Sequence, residues 1–271
     1  MTSNIPSEIL IALGANMPSR AGPPAQTLKA ALAALSAAGV EILKVSSFYE
    51  TAAWPDPADP PFANAAASLQ TSLQPVAVLE LLHAIETAFG RVRSLKNAPR
   101  TLDLDLIFLG QETRATPALR LPHPSAFYRR FVLDPLIEVA PDWVDPVRRI
   151  TARQLHHRLT TRPFRVACLG PIAPHVVPQL AREFPAADLT AYRSHDEFPF
   201  AFREPPGDQD GIDPLPLPAL IVDLASQPVP ELLRSSWLDL WGHFTTPHDT
   251  ACDESAAIAR LREVLASALG P

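Results

Sequence analysis

Residues 100–109 read Arg-Thr-Leu-Asp-Leu-Asp-Leu-Ile-Phe-Leu. In a β-strand, successive side chains point to opposite faces of the sheet. Leu102, Leu104 and Leu106 therefore line one face and enter a core, while Thr101, Asp103 and Asp105 line the other. Two carboxylates at i and i+2 stand roughly 6–7 Å apart along a strand. Their side chains can converge on two hard cations about 3.5–4 Å apart, the spacing of two-metal phosphoryl chemistry. Magnesium suits such a pair, because it takes a few carboxylates and keeps positions for water and phosphate oxygens. The same spacing also fits an amphipathic edge strand with a solvated polar face.

The neighbouring segments weigh against that plain reading. Upstream lie Gly90-Arg91-Val92-Arg93-Ser94-Leu95-Lys96 and Pro99-Arg100, a basic loop running into the acidic strand. Guanidinium forks there can grip phosphate oxygens from the side opposite the cations. Downstream, Leu121-Pro122-His123-Pro124 precedes Tyr128-Arg129-Arg130-Phe131. His123 is a candidate phosphate ligand or a plain loop histidine, and Phe131 at a helix start is more often core than platform. The chain contains no G-x-x-x-x-G-K-[ST] and no G-x-G-x-x-G. With 10 glycines in 271 residues, side chains and metals would have to hold a triphosphate, not a backbone nest.

Further out, the pattern predicts a strand over 8–13 closed by a Gly14-Ala15-Asn16 turn, and a helix over 25–38 stopped by Gly39. A strand follows over 40–51, then a proline-rich loop and a strand over 64–73. A helix over 75–89 is opened by Pro75 and carries Val78, Leu81, Leu82, Ile85 and Phe89 on its apolar face. With 101–109 as the last strand, the order is β-α-β-β-α-β, an α+β ferredoxin-like sheet. Helices over 131–140 and 151–158 would cover it.

Residues 1–160 carry 15 Lys+Arg against 14 Asp+Glu; residues 161–271 carry 8 against 15 and no lysine. The shift points to two domains, 1–160 and 161–271. The second is expected to be a small α/β domain, with strands at 164–169, 189–192 and 219–224 and helices at 174–183, 230–241 and 254–269. Residues 196–218, crowded with Pro, Gly and Asp, are expected to form a long loop. Neither half has a nucleic-acid binder's basic excess. Two cysteines, Cys168 and Cys252, suggest no disulfide framework. No apolar stretch reaches the roughly 20 residues of a membrane span, and the N-terminus lacks a signal peptide's basic region. A cytoplasmic protein with small-molecule substrates is expected, with neither nucleic acid nor membrane as partner.

The segments VSSFYET (45–51), FANAA (62–66), GRVR (90–93), PRTLDLDLIFLG (99–110), LPHP (121–124) and RRFVLDPLIEVAPD (129–142) resemble the 6-hydroxymethyl-7,8-dihydropterin pyrophosphokinases of folate biosynthesis, in order, over residues 5–158. IALGANM (11–17) is similar to that family's opening strand. The resemblance implies diphosphate transfer from ATP to the pterin with two magnesium ions on Asp103 and Asp105. It implies that Arg91, Arg93 and Arg100 contact the ATP phosphates, joined by His123 and Arg129, and that Glu86 is an ATP-proximal acid. The pterin would lie between aromatic rings, Phe131 on one side and Phe62 nearby. Asn64 would read the ring's polar edge, Thr51, Ala52 and Trp54 would add backbone contacts, and Gly14 would let the substrate approach the first strand.

This sequence departs from the family pattern at Ala52-Ala53, where prolines are usual, and in a short Arg93–Arg100 loop without the tryptophan some members carry there. A rival reading is a pterin- or nucleotide-binding module without turnover. Residues 161–271 resemble no family. They read as a dimerisation or stability module, or as a second nucleotide-related enzyme on the strength of Ile221-Val222-Asp223-Leu224. Asp223, His243, His248 and Asp249 have a spacing that fits no metal pattern.

Overall fold

A computed structural model describes residues 7–53, 56, 58–91, 99–193, 220–223, 243–245 and 254–270. The chain divides into two compact units, Met1–Pro146 with Thr151–His156 and Gly270–Pro271, and Val147–Ile150 with His157–Leu269.

In the first unit, β1 (Ser7–Ala15) lies at the centre of an antiparallel sheet, flanked by β4 (Phe62–Thr71) and β5 (Asp103–Leu109). The outer neighbours of β4 are β2 (Glu41–Val45) and β3 (Tyr49–Thr51). With β2 and β3 counted as one interrupted strand, the order is that of a ferredoxin-like βαββαβ sheet. The expected strand over 40–51 is thus broken, and Ser46 is the reason. Its backbone N–H donates to Ala66 O at 2.9 Å, and its Oγ accepts the Ala66 N–H at 2.9 Å. The hydroxyl takes a place in the ladder that a carbonyl would hold, and the strand bends there.

The Leu/Asp alternation of β5 packs as predicted. Leu102, Leu104 and Leu106 are buried with Ile9, Ile11, Leu13, Ala67 and Leu69. This face is covered by α1 (Pro24–Ala37) and α2 (Pro75–Ala88), each opened by a proline whose missing N–H costs the first turn nothing. α3 (Arg130–Val139) packs on β4 and β3. Tyr49 Oη donates to Glu138, and Glu138 Oε2 accepts the Ser47 N–H at 2.7 Å. The register of β1 against β5 shifts between Leu10 and Ile11, leaving Ile107 as an extra residue. Its carbonyl accepts the His123 N–H at 2.8 Å, so the bulge docks the loop that carries His123. A two-stranded hairpin, β6 (Arg114–Ala115) and β7 (Arg120–Leu121), precedes that loop. α4 (Ala152–Thr160) follows.

The second unit holds a parallel sheet in the order β11-β10-β8-β9. These strands are β8 (Phe164–Leu169), β9 (Ala187–Tyr192), β10 (Leu220–Asp223) and β11 (His243–Thr245). α5 (Ala173–Glu183) packs on β9 and on α6 (Glu254–Leu269), where Arg262 grips Glu183 with two hydrogen bonds of 2.6 Å. This is the expected small α/β domain, with β11 an addition to it. The helix expected at 230–241, the loop at 196–218, and Trp54, Arg93, His248, Asp249 and Cys252 lie outside the described residues.

Candidate active site

Cross-strand pairing sets one row of side chains across the sheet: Tyr49 on β3, Asn64 on β4, Gly14 on β1 and Asp103 on β5. The row beside it pairs Ala66, Ala12 and Asp105. Directly paired residues share a face, so both carboxylates and Asn64 project from the face opposite the leucine core. Gly14 leaves a gap in the middle. A Cβ added there would come within 3.3 Å of Asn64 Oδ1 and 3.9 Å of Asp103 Cβ, so any side chain would fill the space between them. Asn64 is buried, and its Nδ2 donates to Thr51 Oγ1 at 2.8 Å. Its carbonyl oxygen is thereby aimed over Gly14. Phe62 pairs with Thr51 one row further out, and Phe62, Thr51 and Phe131 are all half-buried. Ala52 is exposed, while Ala53 is buried. The Arg129 guanidinium lies 5.6 Å from the Phe131 ring centre and 5.8 Å from that of Tyr128.

Along the edge of β5 runs a cavity of about 330 Å³. One wall is a stripe of α2 (Leu79, His83, Glu86), with residues at helical spacing. Asp103 and Asp105 line its floor with Arg91, and Pro117–Arg120 with His123 form the other wall. Asp103 is engaged on both oxygens, Oδ1 by Arg91 and Oδ2 by Arg100. Arg91 also donates to Glu86. Burial lowers the affinity of Arg91 for its proton, but Asp103 and Glu86 more than offset this, and its pKa is raised. Glu86 is only 2% exposed and accepts the Leu104 N–H at 2.8 Å, so its carboxylate fastens α2 to β5 as well as orienting Arg91.

The Asp105 pKa is raised, first by burial and then by the charge of Asp103, with His123, Arg129 and Arg100 pulling the other way. Burial lowers the His123 pKa, against the pull of Asp105. The His123 Nδ1 accepts the Ser125 N–H at 3.3 Å, which orients the ring. Burial and the neighbouring Asp103 carboxylate thus disfavour the charged form of Asp105, which a cation bound beside it would favour. Thr101 Oγ1, predicted on the same face, is buried with no hydrogen-bond partner among the described residues. No group of three or more His, Cys, Asp or Glu side chains poised for a metal occurs among them either. Two carboxylates lining a cavity fit a hydrated magnesium ion that takes its remaining oxygens from water and phosphate, and do not fit a closed structural metal site.

Of the sequence-predicted residues, the fold therefore gathers Arg91, Arg100, Asp103, Asp105, Glu86 and His123 around or beside the cavity, and aligns Gly14, Thr51, Phe62 and Asn64 on the adjoining strands. Sequence reasoning missed Asn16. Buried directly after β1, it accepts the Arg100 N–H on Oδ1 at 2.7 Å and donates Nδ2 to Pro60 O at 3.1 Å. The Arg100 carbonyl accepts both the Asn16 and Met17 N–H groups at 3.0 Å. The turn expected at Gly14-Ala15-Asn16 is not formed: Gly14 and Ala15 continue β1 in its ladder with β4, and an asparagine directly after that strand was the available signal. Leu79 and His83 were also missed, because helix periodicity assigns side chains to core or solvent and has no category for a cavity wall.

Residues 10–141 match the family described as 7,8-dihydro-6-hydroxymethylpterin-pyrophosphokinase. Over 147 residues the chain is 45% identical to the 2-amino-4-hydroxy-6-hydroxymethyldihydropteridine pyrophosphokinase of Synechocystis, covering 54% of this chain and 73% of that one. The Pseudomonas aeruginosa protein of the same name is 38% identical over 58% of this chain and 92% of its own. The folic acid synthesis protein fol1 of Pneumocystis carinii is 36% identical over 51% of this chain and 18% of its own length. Among solved structures, a Plasmodium falciparum HPPK-DHPS triple mutant aligns with 84% of this chain and 65% of its own at 12% identity and a TM-score of 0.47.

Proposed function

We propose, because the chain belongs to the 7,8-dihydro-6-hydroxymethylpterin-pyrophosphokinase family, that Asp103 is the residue at which its two substrates meet. The enzyme transfers diphosphate from ATP to 6-hydroxymethyl-7,8-dihydropterin, giving AMP and the pterin diphosphate, a step of folate biosynthesis. The observation that carries the site assignment is the position of Asp103. It ends the row that contains the gap over Gly14, and it also lines the cavity at the edge of β5.

A flat pterin fits the gap, with Asn64 Oδ1 facing its N–H edge, Phe62 and Phe131 beside its ring, and the Thr51–Ala53 segment along its rim; the role expected of Trp54 lies outside the described residues. The triphosphate fits the cavity, where Arg91, Arg100 and His123 surround the carboxylates; Arg93 and Arg129 complete the basic set. Two magnesium ions, held by Asp103 and Asp105, would neutralise charge on the transferred diphosphate and on the departing AMP. In the free protein Arg91 and Arg100 are spent on Asp103. Nucleotide binding exchanges partners: phosphate oxygens take the guanidinium groups and Asp103 is freed for a cation. The pterin hydroxymethyl oxygen then attacks the β-phosphorus in line, its proton passing to Asp105 or to water, the bond from the β-phosphorus to the oxygen that bridges it to the α-phosphate breaks, and AMP departs with that oxygen. Glu86 keeps Arg91 in place throughout, and Asn16 keeps Arg100 in place.

The activity is assigned to residues 1–160 and a cytoplasmic setting. Residues 161–271 serve as a dimerisation or stability unit, with a second nucleotide-related activity as the alternative. The decisive measurement is AMP release from ATP and magnesium, with and without 6-hydroxymethyl-7,8-dihydropterin. Pterin-dependent AMP is expected. ADP instead would mean transfer of a single phosphoryl group, and tight pterin binding without turnover would leave a binding module.

A further inference from the structure

β3 meets β4 in three residue pairs and is cut off from β2 by the break at Ser46. A carboxylate of α3 gives it a further hold. Glu138 accepts hydrogen bonds from the Tyr49 hydroxyl and, at 2.7 Å, from the Ser47 N–H. The hydrogen bond to Glu138, with burial behind it, pushes the Tyr49 pKa up to about 12. The Ser47 and Tyr49 bonds in turn hold Glu138 below its ordinary value. Donor and acceptor therefore keep their roles throughout the neutral range.

This clamp joins the strand that orients Asn64 to the helix that carries Phe131. On β3, Tyr49 stands directly across from Asn64, and Thr51 Oγ1 accepts the Asn64 Nδ2 hydrogen that aims its carbonyl. On α3, Phe131 precedes Glu138 by seven residues, so the two share a stripe two turns apart, about 10 Å along the axis. Pro135 lies between them and cannot donate the helical bond to Phe131 O. Arg130 spans the same turn to Asp134, at 2.9 and 3.2 Å, and stiffens it. A tilt of about 10° at Glu138 would then carry the Phe131 end of the helix roughly 2 Å.

We infer that the Tyr49–Glu138 pair sets the width of the slot between Phe131 and Asn64, which makes Tyr49 a positioning residue for the pterin ring. The inference rests on the pyrophosphokinase reading, which lays the pterin over Gly14. Asp103 and Asp105 stand on β5, separated from β4 by β1. The clamp therefore acts on pterin affinity and leaves the nucleotide and the chemical step nearly untouched.

The test uses Tyr49→Phe, Glu138→Ala and Glu138→Gln in the full chain. It reads KM for each substrate, kcat, and calorimetric binding of 6-hydroxymethyl-7,8-dihydropterin with magnesium and a non-hydrolysable ATP analogue. Tyr49→Phe should raise the pterin KM and Kd about fivefold, the scale of one lost hydrogen bond. The ATP KM should stay within about twofold and kcat within about threefold. Glu138→Ala, which releases Ser47 as well, should weaken pterin further; Glu138→Gln keeps a carbonyl acceptor and should recover part of the loss. The double variant Tyr49→Phe/Glu138→Ala should be no worse than Glu138→Ala alone, because the two groups act through one bond. A general fold defect would weaken both substrates together and would show neither the rescue nor this non-additivity. Pterin affinity unchanged in Tyr49→Phe, or an equal loss for ATP and pterin, overturns the inference. Pterin-dependent AMP release by the parent alongside unaltered pterin binding by Tyr49→Phe would sink this inference alone. A parent that binds pterin but releases no AMP would sink the reading beneath it, and the pterin affinities of the variants would still decide the role of Tyr49.

Discussion

At the scale of single residues, the site is held by pairs that serve both structure and chemistry. Asp103 is bound by two guanidinium groups, so replacing it does more than remove a ligand: it leaves Arg91 and Arg100 without their anchor. Asp103→Asn should lower kcat by about two to three orders of magnitude, as removal of a major electrostatic stabiliser does. Steady-state AMP release measures this, and near-parental turnover would take Asp103 out of the site. Asn16 acts through others. Asn16→Ala loses the hydrogen bonds to Arg100 N–H and Pro60 O, about 1–3 kcal/mol of stability if both groups stay buried. Its kcat/KM should fall with its Tm, while Asn16→Asp, which retains an acceptor for Arg100, should recover catalysis better than alanine. Equal loss in both variants would mean that Asn16 supports the loop at Pro60 and not Arg100. The aspartates were legible in the sequence because alternation with leucine can satisfy only one strand register. Asn16 was not, since its partners are 44 and 84 residues away and no local pattern encodes them.

At the scale of elements, what was legible follows period and what was not follows side-chain oxygens. α1, α2 and β5 announce themselves through apolar spacing, and α2 also through its opening proline. The break between β2 and β3 does not, because it depends on Ser46 Oγ replacing a ladder carbonyl. β11 was missed as well; three residues offer too little alternation to register. The attachment of α4 to α3 was equally hidden. Asp134 on α3 accepts hydrogen bonds from His156 Nε2 at 2.9 Å and from Arg130 at 2.9 and 3.2 Å. Burial alone would raise the Asp134 pKa, but these partners outweigh it and the pKa lies below its ordinary 3.8. A carboxylate with a depressed folded pKa adds stability that is fully present above its unfolded pKa and is lost as pH falls through the folded value. Urea midpoints should therefore drop below about pH 4 in the parent, and Asp134→Asn should be less stable at pH 7 with a shallower fall on the acid side. Parallel acid limbs in the two proteins would show that other carboxylates govern that transition.

At the scale of the whole molecule, the question is what the second unit contributes to a reaction whose proposed residues all lie in the first. α4 supplies residues to both units, Ala152–His156 to the first and its remaining turn to the second. A cut inside it would release the His156–Asp134 link and confuse instability with loss of function. A fragment of residues 1–162 keeps the helix whole, together with every proposed ligand of ATP, pterin and magnesium. If the second unit serves assembly, this fragment should retain kcat within about threefold and sediment as a monomer, while the full chain sediments as a dimer. The parallel order β9-β8-β10-β11 bears on the alternative. It places β8 and β10 side by side with connections leaving in opposite directions, the arrangement whose strand ends commonly receive ligands. Strand order alone identifies no ligand, so sedimentation has to separate the two roles. A monomeric full chain with an active fragment would exclude assembly and leave a stabilising role, read from the Tm of the fragment against that of the full chain, or an independent activity for residues 161–271. A folded fragment with turnover reduced a hundredfold, a loss of about 2.7 kcal/mol in transition-state stabilisation, would mean instead that the first unit does not complete the site unaided.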